Sequence, residues 1–174
     1  MGDTGGYETI LWIRDPRDVF VSAAYWLSDQ IEAELGCSAS IDEKLMWVIQ
    51  LGRRSNSVQT YQEMYQRALA WAEKPNTYLF RFEDLIGKKG GGDSLTQRDN
   101  IGALASVLGI QLSKKELLFV ARNLWGNASG LSGTFRNGTI GSWRAHFKPE
   151  HKVAFKEEFH DLLIQLGYEQ DNDS

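Results

Sequence analysis

The chain has 174 residues, of which 42% are hydrophobic and 11% aromatic, and this composition is typical of one globular domain. Its formal net charge of −4 excludes a bulk nucleic-acid binder, so any anion site must be a local cluster of cations. The single cysteine excludes an internal disulfide, and no apolar run approaches the roughly 20 residues needed to span a membrane. No signal peptide is visible at residues 1–8, and we therefore expect a cytoplasmic protein without nucleic-acid or membrane partners.

Two short apolar runs, residues 9–13 and 77–82, predict buried parallel strands. Helices are predicted from apolar residues at helical spacing, at about residues 16–36, 40–51, 57–72, 95–108, 113–124 and 149–166. This order of strands and helices predicts an α/β fold, with Asp18 supporting the start of the first helix. Two strands cannot cover so many amphipathic helices, so we expect strands of this sheet to be absent from the chain.

The glycine-rich stretch at residues 87–93 invites interpretation as a phosphate loop, but it does not match that motif. Lys89, and not Ser or Thr, follows the Gly-Lys pair, so the phosphate-binding loop of a nucleoside kinase is not found here. This disfavours a nucleoside kinase with an α/β fold as an alternative function. We expect this stretch to be a flexible surface connection.

The first strand is followed at once by the charged stretch "RDPRD", and Ser22 lies eight residues after Arg14. A strand end that leads into a helix N-terminus is a common anion site in α/β folds, so Arg14 and Ser22 could hold one phosphate between them. Alternatively, the four charged residues pair among themselves and only cap the helix.

Two later stretches are further candidates. In "FRNGTIGSW", Arg136 is followed by a turn with Gly138 and Gly141, where backbone N–H groups can approach an anion. The alternative is an ordinary surface turn with an isolated arginine. The stretch "FRFEDL" at residues 80–85 is either part of a site or a strand followed by an acidic helix cap.

Taken in order, "RDPRDVFVS", "FRFEDL" and "FRNGTIGSWRAHF" closely resemble the sulfotransferase family, whose members use 3′-phosphoadenosine-5′-phosphosulfate as sulfuryl donor. The resemblance extends over residues 9–173, and the last helix looks like that of bacterial members. It implies a three-layer α/β fold of the P-loop-like nucleotide-binding type, with a parallel sheet and helices on both faces. It also implies transfer of the sulfuryl group to a hydroxyl or amine acceptor, without a metal.

The resemblance also implies which residues bind the donor. The first Arg and the Ser of the family pattern Arg-Asp-Pro-Arg-Asp-Val-x-Val-Ser hold the donor's 3′-phosphate, and they match Arg14 and Ser22. The family's later Arg-Lys-Gly contacts the same phosphate and matches Arg136, Asn137 and Gly138, so that Asn137 replaces the usual Lys. We therefore expect Arg14, Ser22 and Arg136 to converge on one anion.

Other positions depart from the family pattern. Phe82 replaces the Tyr that many members place near the adenosine. Ser142 replaces a common Asp, whereas Arg144 keeps the charge of the usual Lys.

The family's Pro-Lys-Ser-Gly-Thr-Thr-Trp loop, which grips the 5′-phosphosulfate, and its catalytic base belong before Arg14. Residues 1–13 contain no lysine, no histidine and no such loop. The resemblance thus implies a single partial sulfotransferase domain over residues 1–174, with no catalytic residue of its own and inactive alone. The alternative is a non-catalytic nucleotide-binding or interaction module. The first strand is expected to have an open edge, which predicts self-association of the chain or binding of a complementing N-terminal segment. The sequence does not specify the small-molecule acceptor of the sulfuryl group.

Overall fold

A computed structural model of the protein describes residues 7–51, 61–124 and 138–170. Within these ranges the strands are β1 (Thr9–Ile13) and β2 (Thr77–Arg81). The α-helices are α1 (Pro16–Trp26), α2 (Ser28–Leu35), α3 (Ile41–Leu51), α4 (Tyr61–Ala72), α5 (Phe82–Ile86), α6 (Ser94–Val107), α7 (Lys114–Asn123) and α8 (Pro149–Gln165). Two short 3-10 helices lie at Lys88–Gly90 and Ser142–Ala145. No helix in the described ranges is long and apolar enough to cross a membrane.

The chain divides into two compact units. The first unit comprises Met1–Arg14 and Ala70–Ile140, and the second comprises Asp15–Leu69 and Gly141–Ser174. The boundary between them therefore falls inside the "RDPRD" stretch and inside the "FRNGTIGSW" stretch.

The first unit is built on a parallel pair of strands. β1 pairs with β2 in a register that sets Ile13 opposite Arg81. Phe80 of β2 is buried with Leu85 and Ile101, and partly buried apolar residues of α6 and α7 pack against this cluster. One face of the sheet is thus covered by helices that follow β2 in the chain.

The second unit has an all-helical core around α1. Phe20 is fully buried, and its ring lies 4.8 to 5.1 Å from the rings of Phe155 and Phe159 on α8. α3 packs against both α1 and α8. Asp15 caps α1, because its Oδ1 accepts a hydrogen bond from the backbone N–H of Arg17 at 2.9 Å.

The sequence-based assignment of the elements is correct in its main lines and needs three corrections. The first predicted helix is two helices, because Leu27 leaves helical geometry at ψ 9° and α2 ends separately before Gly36 at φ 71°. Phe82 begins α5 and is not the last residue of β2.

The third correction concerns the glycine-rich stretch at residues 87–93, which is an ordered turn in place of the flexible connection expected. Gly90 is buried, and the N–H of Gly92 donates to the carbonyl of Gly87 at 2.9 Å. A side chain at Gly92 would place its Cβ 2.9 Å from the carbonyl oxygen of Glu83, which only glycine avoids.

We expect the isolated chain to self-associate, or to take up a complementing N-terminal segment, through β1. In the described residues β1 pairs with β2 alone, and the sheet exposes Trp12 (53%) and Leu79 (40%). An open strand edge beside apolar side chains favours pairing with another chain. Sedimentation velocity at micromolar concentration should show dimers or larger species.

A pair of substitutions tests whether β1 mediates this association. Trp12→Arg should shift the distribution towards monomer, because it puts a charge on the exposed part of the strand. Phe119→Arg is the matched control, since Phe119 is 68% exposed on α7 and lies outside the sheet. A monodisperse wild-type monomer, or an equal response to both substitutions, contradicts the prediction.

Candidate functional site

Arg14 follows β1 and contacts two other sequence motifs inside the first unit. Its Nη2 donates a hydrogen bond to the carbonyl of Thr139 at 3.0 Å, across 125 positions of sequence. Its guanidinium lies 4.2 Å from the centroid of the Phe82 ring. Segments of "RDPRDVFVS", "FRFEDL" and "FRNGTIGSW" thus meet at Arg14.

The strand register explains why Arg14 and Phe82 meet. Ile13 is opposite Arg81, so Arg14 and Phe82, the residues that directly follow the two strands, leave the sheet at the same level. Parallel strands bring their carboxyl ends to one edge of a sheet, which is where α/β folds bind ligands. The guanidinium lies over the ring in a cation–π contact, which is attractive and favours this position of the side chain.

The described part of the "FRNGTIGSW" turn is fixed at its first residues by the glycine-rich turn. Gly138 has φ 53°, and the N–H of Ile140 donates to the carbonyl of Gly90 at 2.8 Å. Arg136 and Asn137 lie outside the described residues. The structure therefore locates Gly138 of this motif, but not the two residues before it.

Asp18 holds the following residues of the same turn inside the second unit. Its carboxylate is fully buried, and Oδ2 accepts a hydrogen bond from the N–H of Gly141 at 2.8 Å. Oδ1 accepts from the hydroxyl of Ser142 at 3.0 Å and from the N–H of Trp143 at 2.9 Å. Asp18 lies in the first turn of α1, as expected, where Asp15 is the N-cap residue, and its carboxylate also binds the turn.

Arg17, on α1, connects this helix to Glu169 near the end of the described residues. Its guanidinium donates to both Asp15 carboxylate oxygens, at 2.9 to 3.3 Å, and to Glu169 at 2.6 Å. It also lies 4.1 Å from the Trp143 ring. The idea that the charges of "RDPRD" pair among themselves is thus correct for Arg17 and Asp15. Arg14 and Asp18 make contacts with other segments as well.

Ser22 lies in the second turn of α1 and is half-buried. It belongs to the second unit, whereas Arg14 and Phe82 belong to the first. The expected convergence of Arg14, Ser22 and Arg136 on one anion therefore stays a prediction. Among the described residues, no group of three or more His, Cys, Asp or Glu side chains could hold a metal ion.

Comparison with known proteins adds a decisive observation. A family model described as the sulfotransferase domain matches residues 7–167. The chain belongs to the sulfotransferase family. The match includes all three motifs on which the resemblance was based, and it confirms the predicted family. The bacterial type of this family member stays a prediction.

A solved structure supports the fold of this chain. The chain resembles the crystal structure of the mouse sulfotransferase SULT7A1 complexed with PAP, with a TM-score of 0.62 and 21% sequence identity. The match covers 88% of this chain and 57% of that chain. At this identity the likeness shows the fold alone, and it confirms the predicted α/β class. The search of curated proteins finds no match.

Proposed function

We propose that this chain is the part of a sulfotransferase that binds the 3′-phosphate side of 3′-phosphoadenosine-5′-phosphosulfate. The observation that carries the proposal is the meeting of three motif segments at Arg14, which contacts Phe82 and the carbonyl of Thr139. An arginine held at the carboxyl end of a parallel strand, beside a turn with glycines, suits a phosphate.

The proposal gives each motif residue a role. Arg14, Ser22 and Arg136 hold the 3′-phosphate, and Gly138 lets backbone N–H groups approach it. Phe82 lies near the adenosine, where its ring offers a stacking surface but no hydroxyl. Asn137 provides a neutral side chain at a position where the family usually has a cation.

The family reaction that this site serves is sulfuryl transfer to a hydroxyl or amine acceptor. The protein's contribution to such a transfer is to position the donor and to stabilise the charge that develops. We assign no catalytic residue in this chain, because its 174 residues include no Pro-Lys-x-Gly-Thr-Thr loop. We therefore expect the chain, used as it is, to bind the nucleotide without turning over the donor.

Calorimetric titration tests the proposal. Adenosine 3′,5′-bisphosphate should bind at least about tenfold more tightly than adenosine 5′-phosphate, because only the former carries the 3′-phosphate. Labelled donor and a phenol should give no sulfated product. Equal affinity for the two nucleotides would remove the proposed 3′-phosphate site, and steady turnover would overturn the assignment of no catalytic residue.

Asn137→Lys should tighten binding of adenosine 3′,5′-bisphosphate by roughly fivefold, because it adds a cation next to the 3′-phosphate. The gain should shrink at high ionic strength, since salt screens exposed charges. Asn123→Lys is the matched control, because it adds the same charge at the exposed end of α7. Weaker binding in Asn137→Lys, or an equal gain in both variants, would refute the assigned pocket.

A further inference from the structure

The second unit contains a cavity that the proposed function does not use. Its volume is about 600 Å³, within the range of about 300–1,000 Å³ that small-molecule sites occupy. The floor is formed by buried apolar side chains, those of Trp143, Phe147, Phe155 and Leu163. The rings of Phe147 and Phe155 suit a flat, aromatic ligand, whereas the Trp143 ring already lies 4.1 Å from the guanidinium of Arg17 and 4.6 Å from that of Arg144.

Cationic side chains also line the cavity. Arg144, Lys152 and Lys156 line the same cavity. Lys152 and Lys156 are four residues apart on α8, so they lie on one helix face, where like charges repel each other. Within residues 7–51, 61–124 and 138–170, no carboxylate lies within ion-pair distance of either lysine or of Arg144.

The two other charged residues of the cavity compensate each other. Glu169 lines the cavity, but its Oε1 accepts from Arg17 at 2.6 Å. Arg17 is in turn held by Asp15 at 2.9 Å. The cavity therefore keeps an excess of positive charge, although the whole chain has a net charge of −4.

We propose that this cavity, which we call the basic cavity, binds an aromatic anion: a ring that carries one sulfate, sulfonate or carboxylate group. The ring lies on the apolar floor, and the anionic group pairs with Lys152 and Lys156. A small inorganic anion leaves the aromatic floor uncovered, and a neutral ring leaves the lysines without a counter-charge. The lining of the basic cavity includes none of the residues assigned to the proposed nucleotide site.

Isothermal titration with naphthalene-2-sulfonate tests the class of ligand. We expect a Kd below about 1 mM, and binding at least about tenfold weaker for the neutral naphthalene-2-sulfonamide and for methanesulfonate. The sulfonamide keeps the ring and removes the charge, whereas methanesulfonate keeps the charge and removes the ring. No binding of the sulfonate at millimolar concentration, or equal binding of the sulfonamide, overturns the proposal.

Substitutions test the place of binding. The double variant Lys152→Gln with Lys156→Gln should lose about tenfold or more in affinity for naphthalene-2-sulfonate, whereas Lys115→Gln should lose none. Lys115 is a suitable control because it is an exposed lysine on α7 in the other unit. Thermal melting of each variant checks that the fold is kept.

A last variant separates the basic cavity from the nucleotide site. Ser22→Ala should leave the affinity for naphthalene-2-sulfonate unchanged, whether or not the chain binds the nucleotide. If Ser22→Ala loses affinity for naphthalene-2-sulfonate, or if the double lysine variant keeps full affinity, the ligand binds elsewhere and the proposal is overturned.

Discussion

Replacement of Asp18 by alanine is expected to lower the free energy of unfolding by about 3–5 kcal/mol. The carboxylate is fully buried and accepts hydrogen bonds from Gly141, Ser142 and Trp143. Its removal leaves two backbone N–H groups and one hydroxyl without their acceptor, and an unsatisfied buried donor is costly. Urea denaturation of the wild type and the variant measures the difference.

Two further variants show whether the loss comes from the hydrogen bonds. Ser142→Ala removes one of the donors and should cost only about 1 kcal/mol. Asp18→Asn keeps the shape but turns an NH₂ group towards a donor, so its stability should lie between those of the wild type and Asp18→Ala. A loss below about 1 kcal/mol in Asp18→Ala would mean that the 141–143 segment does not depend on this carboxylate.

Replacement of Arg14 by alanine is expected to weaken binding of adenosine 3′,5′-bisphosphate by about 10- to 100-fold or more. The proposed reason is the loss of a charge-assisted hydrogen bond to the 3′-phosphate. The variant also loses the contacts of Arg14 with Thr139 and Phe82, which orient the guanidinium. Calorimetry gives the affinity, and melting curves separate this effect from a loss of fold.

Two controls sharpen this result. Arg14→Lys keeps the charge but replaces the planar guanidinium by a flexible point charge, so it should recover only part of the affinity. Arg122→Ala removes an exposed arginine from the end of α7 and should change the affinity little. Affinity in Arg14→Ala equal to that of Arg122→Ala would exclude Arg14 from the nucleotide site.

Local patterns were sufficient to predict much of the first unit. The apolar runs predicted both strands, and the parallel pairing of β1 with β2 follows the expectation for an α/β chain. The meeting of Arg14 and Phe82 also follows from local information, because each residue comes directly after a strand. What the sequence could not provide is the register, since it depends on how the strands are packed against α6 and α7.

The role of Asp18 could not be predicted from its neighbours. A carboxylate in the first turn of a helix usually favours that helix's own N–H groups, and this local rule predicts the position of Asp18 in α1 but not its bonds to the turn. The actual donors lie 123 to 125 positions away and include two backbone N–H groups. The only signal in the sequence was a pair of acidic residues, Asp15 and Asp18, of which one helix needs only one as a cap.

The division of the first predicted helix was missed for a similar reason. Apolar residues continue at helical spacing past Leu27, so the pattern predicts one helix. Ala23 and Ala24 of α1 are buried, as is Ile31 of α2, whereas Tyr25 and Trp26 between them are exposed. This burial pattern is also that of one amphipathic helix, so neither spacing nor burial reveals the break, which lies in the backbone of Leu27.

The contacts of Arg14 and Asp18 with the turn have a consequence for how variation in this protein should be interpreted. Among the groups that they contact there, the carbonyl of Thr139 and the N–H groups of Gly141 and Trp143 are main-chain atoms. Every amino acid has that carbonyl, and every one but proline has that N–H. A mutational scan would thus assign these contacts to positions 14 and 18 alone. A variant effect at position 141 would report the left-handed backbone, φ 70°, and the approach of a new Cβ to within 2.2 Å of the Arg144 guanidinium, and not a lost bond. Proline, which removes the N–H, is the substitution that would reveal the contact at position 143.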